Sequence, residues 1–350
     1  MRHLLLLLIF LCVLIIPPVS ATVIDVPGDA ATIQGGIDLA VDGDTVIVDT
    51  GLYVELISFK GKNIVVTSRF IFDEDPAIID ATIIDGAVPV RGNPEPDTAS
   101  VVRFVGGEGP GAMLAGFTIT NGQGTIGKHG GRKKGGGVFI ADASPRIKFN
   151  NITGNTAFDG GGVYLFLSGA EIGRNIIYDN NATWGGGIMM RRCDALIINN
   201  TIDANSASQE GGGIRIIGPE APLLRNNIIS NNIGAGVYET GVDSLFVDYN
   251  DNVANIGGRY DGTIFVEGPG EIHCDPKFVD RAAGNYDLQA LSPCIDSGSE
   301  EFTQIPPHGG DRIDIGAYEY RYDVTCNFSQ IFSIRRPKVH RVTPCAGTSS

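Results

Sequence analysis

Apolar residues in this chain recur in short alternations rather than at helical spacing, and the alternations themselves return at a fixed interval. A Gly-Gly-Gly triplet begins at residues 135, 160, 185 and 211, with a degenerate Gly-Ala-Gly at 234, and each opens into an alternating run: GGGVFI, GGGVYL, GGGIMM, GGGIRI and GAGVYE. A second signature, N-x-I-x-x-N, keeps the same beat at Asn150-Ile152-Asn155, Asn175-Ile177-Asn180, Asn200-Ile202-Asn205 and Asn227-Ile229-Asn232. Between the two lies a third apolar position, Ile147, Ile172, Ile197 and Leu223. Three short strands in a repeat of about 25 residues cannot bury their own apolar faces, so successive repeats must stack. A helical solenoid needs about thirty or more residues per repeat at a 3.6 period, and glycine triplets beside β-branched residues oppose helix. The pattern predicts an all-β fold, a solenoid of parallel strands with three strands per coil.

Stacking turns distant residues into vertical neighbours. Val138, Val163, Ile188, Ile214 and Val237 are expected as one inward column, and Ile152, Ile177, Ile202 and Ile229 as another. Asn155, Asn180, Asn205 and Asn232 fall where the chain must turn; asparagine tolerates left-handed backbone and can bond the residue above and below. An irregular start to the same winding is read in TVIVDTG (45–51), NIVVTS (63–68), ATIIDG (81–86), SVVRF (100–104) and GFTITNG (116–122). Ahead of it, Ile33, Ile37 and Ala40 sit at helical spacing, which predicts a short amphipathic helix capping the open end.

The ends of the chain add a location. Arg2 and the apolar run LLLLLIFLCVLII close on Pro17-Pro18 and the small residues Val19, Ser20 and Ala21, the pattern of a signal peptide over 1–21, with no other stretch long enough to span a membrane. The chain is expected to be secreted or held at the cell surface, divided into a β-helix with its cap at 22–270, a closing segment at 271–320 and an irregular basic tail at 321–350. Secretion permits disulfides. Cys274 with Cys294, and Cys326 with Cys345, are the natural local pairs, leaving Cys193 as a buried small hydrophobe; other pairings stay open. The formal charge of -14 argues against nucleic acid and anionic lipid as partners. A basic loop, Lys128, His129, Arg132, Lys133 and Lys134, is the local exception.

Two short motifs lead nowhere. Gly122, Gly124 and Gly127 have G-x-G-x-x-G spacing and Gly127-Lys128 completes G-x-x-x-x-G-K, but KHGGRKKGGG follows instead of a helix, and His129 stands where Ser or Thr is needed. DYNDN (248–252) opens like an EF-hand loop, but Val253 replaces the glycine and Arg259 the final glutamate. Calcium held between coils by carboxylates is left without a position, and no other cofactor is expected.

The stretch TIQGGIDLAVDGDTVIVDTGLYVE with GKNIVVTS, residues 32–68, is similar to the opening segment of pectinesterase-like and related proteins of the pectate-lyase-like superfamily, which are secreted right-handed parallel β-helices. CDPKFVDRAAGNYDLQALSPCIDSGS (274–299) followed by DIGAYEY (314–320) resembles a choice-of-anchor segment. The resemblance implies the right hand of the solenoid. Pectinesterase aspartates in a GxVDFIFG-like strand and an arginine in an LGRPW-like segment have no counterpart here, nor do the calcium carboxylates and arginine base of pectate lyases.

Two outward columns carry the candidate chemistry. Lys134, Asp159, Trp184 and Glu210 precede successive glycine triplets; Asp159 and Glu210 would stand about 9.6 Å apart, near the spacing of inverting glycosidases, with Trp184 between them to stack on a sugar. The alternative is an ordinary ion pair and a tryptophan covering a turn. Phe139, Tyr164, Met189, Arg215 and Tyr238 form the second, with Phe166 and Arg191 two residues beyond. An exposed strip of this kind suits a long polymer, although an inserted loop or partner subunit would explain it equally. The leading expectation is a protein that binds extracellular polysaccharide or a cell surface along this strip. Its rivals are a lyase or glycosidase using Asp159 and Glu210 with Lys134 or Arg191 assisting, and a non-catalytic adhesin or spacer.

Overall fold

The computed structural model describes residues 21–87, 98–126, 131–243, 245–262, 267–299, 301, 310 and 312–320. Residues 1–20 of the expected signal peptide (1–21), Lys128 and His129 of the basic loop, and the expected tail with Cys326 and Cys345 lie outside them. Three parallel sheets run the length of the molecule and stack in register as a β-helix. The first has nine strands, from Val23–Val26 to Phe246–Asp248; the second has eight, from Gly51–Val54 to Asp251–Val253; the third has eight, from Ile57–Ser58 to Tyr260–Gly262. No helix among the described residues is long and apolar enough to cross a membrane.

Both inward columns form as the repeat dictates. Val138, Val163, Ile188, Ile214 and Val237 pair in succession in the third sheet, and Ile152, Ile177, Ile202 and Ile229 in the second. All are buried. Each side chain so removed from water contributes about 1.5–3 kcal/mol, which no single coil could obtain alone. The third column needs a correction: Ile197 is followed by Leu224, and Leu223 pairs with Leu196 on the outer surface. Residues added before Gly211 and in the loop at 218–222 shift the phase, and a one-residue slip moves a side chain to the other face.

The asparagines form ladders through the core's edge. Asn155, Asn180, Asn205, Asn232 and Asn255 pass one amide bond from coil to coil at 2.8–3.1 Å, and Asn150, Asn175, Asn200, Asn227 and Asn250 do the same at 2.9–3.1 Å. Each amide also answers a backbone carbonyl left open by the turn, as Asn180 Nδ2 does for Ile152 O at 2.8 Å. Left-handed backbone falls one residue earlier, at Asp179, Ala204 and Asn231 beside the first ladder and at Arg174, Asn199 and Asn226 beside the second. The ladder asparagines therefore supply the bonds of the turn while their predecessors supply its geometry. Beyond this corner the middle coils carry a fourth short strand, Thr156–Asp159, Asn181–Trp184 and Ser206–Ala207, parallel from coil to coil. In these coils it is added to the three strands of the main sheets.

Helix α1 (Ile33–Leu39), N-capped by Thr32, buries Ile33 and Ile37 against the first coil. Its Gly36 lets the backbone approach: a Cβ there would stand 2.8 Å from Val46 and 3.0 Å from Val26. At the far end the core turns polar, with Glu239 stacked on inward Ile216 and Asn252 on Ile229, and the Tyr260 hydroxyl donates to Glu271 Oε2 at 2.6 Å.

The described residues between Phe278 and Tyr320 pack along the flank of the second sheet. Its Tyr286, Leu288, Cys294, Ile315 and Ala317 cover Ile176 and Ile228. Asp203, with no exposed surface, fastens it: Oδ1 accepts from Ser230 Oγ (2.7 Å) and Asn231 Nδ2 (2.8 Å), and Oδ2 from Arg281 Nε (2.5 Å) and the Tyr286 hydroxyl (3.1 Å). Here the expected Cys274–Cys294 pair fails. Cys294 is a buried free thiol donating to Asp251 Oδ2 at 3.3 Å, while Cys274 is disulfide-bonded elsewhere and gives its backbone N–H to Asp251 Oδ1. The Asp251 carboxylate receives both cysteine residues, so nearness in sequence did not become a bridge. Cys193 is buried and free, as expected, and burial pushes its thiol up to about 12.

Candidate functional site

The outward column of the third sheet forms in register: Arg103, Phe139, Tyr164, Met189, Arg215 and Tyr238 are successive partners. It is not the exposed strip that the alternation suggested. Phe139, Tyr164 and Met189 are only 6%, 3% and 2% exposed. Strand spacing lets vertical neighbours cover one another: the rings of Phe139 and Tyr164 lie 5.6 Å apart and 7° from parallel. Ala141, Phe166 and Ile217 flank them, and the Lys134 ammonium lies 5.8 Å from the Tyr164 ring centre. Arg103 on one side of this packed floor, and Arg215 and Tyr238 on the other, keep intermediate exposure.

The glycine-preceding column also assembles. Lys134 pairs with Asp159 and Asp159 with Trp184, and the Gly185 N–H reaches Glu210 O at 3.1 Å. Its side chains do not form a pair of carboxylates around a sugar platform. Arg215 intervenes, donating to Glu210 Oε2 at 3.0 Å and lying 4.1 Å over the Trp184 ring and 5.7 Å from that of Tyr238. One face of the indole is therefore occupied by a guanidinium, and Glu210 is bound to its counter-ion. The sequence could not show this, because Arg215 belongs to the neighbouring column and reaches across.

What remains is a close cation and acid at the other end. Lys134 is 5% exposed. Burial lowers its affinity for a proton, Asp159 restores part of it, and Arg191 and Arg132 oppose it further. Burial also raises the Asp159 carboxyl, against the pull of Lys134, Arg132, Arg215 and Arg191. The Tyr164 hydroxyl is pushed up by burial and by Asp159. Both members of the Lys134–Asp159 pair are thus displaced toward their neutral forms, the condition under which a proton moves readily between protein and ligand.

Above this floor lies a groove of about 470 Å³, bounded by Arg103, Lys134, Phe166, Arg191 and Arg192, with Thr125 and Ile126 as one wall. The wall is a short antiparallel pair, Gly124–Ile126 with Lys133–Lys134, which continues the sheet of the fourth strands. The groove gathers four cations in a chain whose formal charge is -14. Sequence reasoning missed Arg103, Arg192 and the wall. For Arg103 the signal was present: SVVRF has the phase of GGGVFI, placing Arg103 directly beneath Phe139. A larger cleft, about 730 Å³, opens between Asn231 and flank residues including Lys277 and Arg281, away from this chemistry. Among the described residues no cluster of three or more His, Cys, Asp or Glu is placed to hold a metal. In DYNDN, Asp248 pairs with Arg225 and Asn250 belongs to a ladder.

The family described as right handed beta helix region matches residues 108–261, the span of the regular coils. The fold and this match define a right-handed parallel β-helix. Among solved structures the chain is similar to pectate lyase Pel9A, with a TM-score of 0.35 and 13% identity over 86% of this chain and 96% of that one. So distant a likeness carries no activity across. No curated protein matches.

Proposed function

We propose that this chain is an extracellular or cell-surface protein that binds an acidic polysaccharide in the groove above Phe139 and Tyr164. The observation that supports the reading is the gathering of Arg103, Lys134, Arg191 and Arg192 around an apolar floor on an otherwise acidic molecule. Guanidinium groups pair with sugar carboxylates in two-pronged fashion, and the floor and Phe166 offer apolar surface to the faces of sugar rings. This replaces the longer strip with a shorter, cation-lined site. Retention of the mature protein on immobilised polyuronate and on a neutral glucan is the test. Selective, salt-sensitive retention that weakens about tenfold in Arg191→Ala supports it; equal retention on both, or none, favours an adhesin or spacer.

One observation supports a catalytic version of the same site. A buried amine held toward its neutral form beside a half-buried acid suits a lyase step in which Lys134 takes the proton next to a uronate carboxylate, Arg191 steadies that carboxylate, the neighbouring glycosidic C–O bond breaks as a C=C double bond forms, and the departing oxygen takes a proton from water. The appearance of unsaturated products, lost in Lys134→Met but not in Glu210→Gln, distinguishes lysis from binding. Glu210 is set aside as an acid because Arg215 holds it.

A further inference from the structure

The cleft of about 730 Å³ beside Asn231 has a chemistry unlike that of the groove. One wall is the solenoid corner that follows Ile228–Ser230; the other is the hairpin of Phe278–Asp280 with Asn285–Leu288 and the turn after it, 289–291. Arg281 and Lys277 both line it. Arg281 Nε donates to Asp203, an acid with no exposed surface, which fixes the plane of the guanidinium. Among the described residues its other N–H groups, and the Lys277 ammonium, have no hydrogen-bond or ion-pair partner. Asn231 and Gln289 line the cleft as well, and each spends its NH2 group elsewhere: Asn231 Nδ2 on Asp203 (2.8 Å) and Gln289 Nε2 on the Phe278 carbonyl (2.8 Å). Their amide oxygens are left as acceptors. Leu291, 77% exposed, and Ala290 add apolar surface at the same place.

Cationic donors for a carboxylate, acceptors for an N–H and an apolar wall together match one kind of chain end. We propose that this cleft binds the C-terminus of a peptide whose last side chain is apolar. Arg281 and Lys277 hold the terminal carboxylate, Asn231 Oδ1 and Gln289 Oε1 accept from the last peptide N–H groups, and the terminal side chain lies on Ala290 and Leu291. Charge decides against a polyanion. The two cations are matched by Asp275 in the lining and by Asp203 behind Arg281, so the cleft is balanced before a ligand arrives and suits one negative charge rather than a row of them. The groove, by contrast, gathers four cations. Because Asp203 already holds the guanidinium, little further freedom is lost when a ligand binds it. The volume also falls within the ordinary range of ligand clefts, about 300–1,000 Å³. Binding here does not depend on what the groove holds.

Calorimetric titration of the whole protein with acetyl-Ala-Ala-Leu, as the free acid and as the C-terminal amide, is the test. The acid is expected to bind about tenfold more tightly, because amidation removes the charge that meets Arg281 and Lys277. Isocaproate keeps the carboxylate and the apolar branch but lacks the N–H, and is expected to bind about tenfold more weakly than the peptide acid. Lys277→Met and Arg281→Lys should each bring the affinity for the acid down toward that for the amide. Lys277 is exposed, so its replacement leaves the fold intact even where Arg281→Lys disturbs the bond to Asp203. Saturating polyuronate should leave these affinities unchanged. Equal binding of acid and amide, an acid preference that survives Lys277→Met, isocaproate binding as tightly as the peptide, or no binding at about 10 mM peptide overturns the proposal. Displacement of the peptide by polyuronate would put it in the groove instead, and likewise overturns it.

Discussion

Two flanks of the solenoid carry outward apolar columns, and the chain treats them differently. On the second sheet, Ile176, Thr201 and Ile228 are covered by the described residues between Phe278 and Tyr320, which Asp203 fastens there. On the third sheet, Phe139, Tyr164 and Met189 cover one another, are hemmed by a short strand pair and charged side chains, and leave a groove above. Side chains differ accordingly. Small β-branched residues suit a surface that another backbone must approach closely, whereas large aromatic and thioether groups can close a floor by themselves. An apolar outward column is therefore not by itself a binding strip; it marks a face that something covers, and the edges say whether that something is the chain or a ligand.

Variants at matched positions separate the two flanks. The largest effect is expected from Ile228→Ala, which opens a hole beneath Gly316 and Ile315 and costs about 3 kcal/mol, read as a lowered denaturation midpoint. If the flank segment were only loosely applied, the cost would fall below about 1 kcal/mol. Asp203→Asn keeps the shape but removes the charge that Arg281 faces, and is expected to cost about 1–2 kcal/mol, since Arg281 is 43% exposed and part of its interaction is screened. Susceptibility of the 278–320 segment to proteolysis should rise in this variant while the coils remain resistant. On the other flank, Arg191→Ala should leave stability within about 0.5 kcal/mol of wild type, yet weaken retention on polyuronate about tenfold. An equal loss on a neutral glucan would mean that the groove reads sugar rings rather than charge. The smallest effect concerns Lys134: because burial lowers its proton affinity, its charge disappears at a lower pH than that of a solvated lysine. Retention should decline early as the buffer is made alkaline, and Lys134→Arg should remove that early decline.

The regular coils were legible because their signals are repeated. Each inward valine or isoleucine has a counterpart one coil away, and an error at one coil is corrected by the next. Where a coil gains residues, as before Leu224, the rule of fixed spacing misassigned the face. The site was less legible, since its parts come from different columns. Lys134 and Asp159 were brought together by period alone. Arg215 was counted in a strip, but it binds Glu210 and covers Trp184, which dissolved the proposed pair of acids. The lengths of side chains and the directions in which they reach do not follow from backbone register.

The sequence by itself determined the winding, the inward columns, the asparagine ladders and the capping helix, because each depends on spacing along the chain and on the backbone preferences of glycine, asparagine and β-branched residues. Only the tertiary structure decided which outer face is clasped and which is grooved, and that Cys294 is a thiol held by Asp251 while Cys274 bonds elsewhere. Those outcomes turn on contacts between segments far apart in sequence, where burial, charge and reach act together and no local pattern records the result.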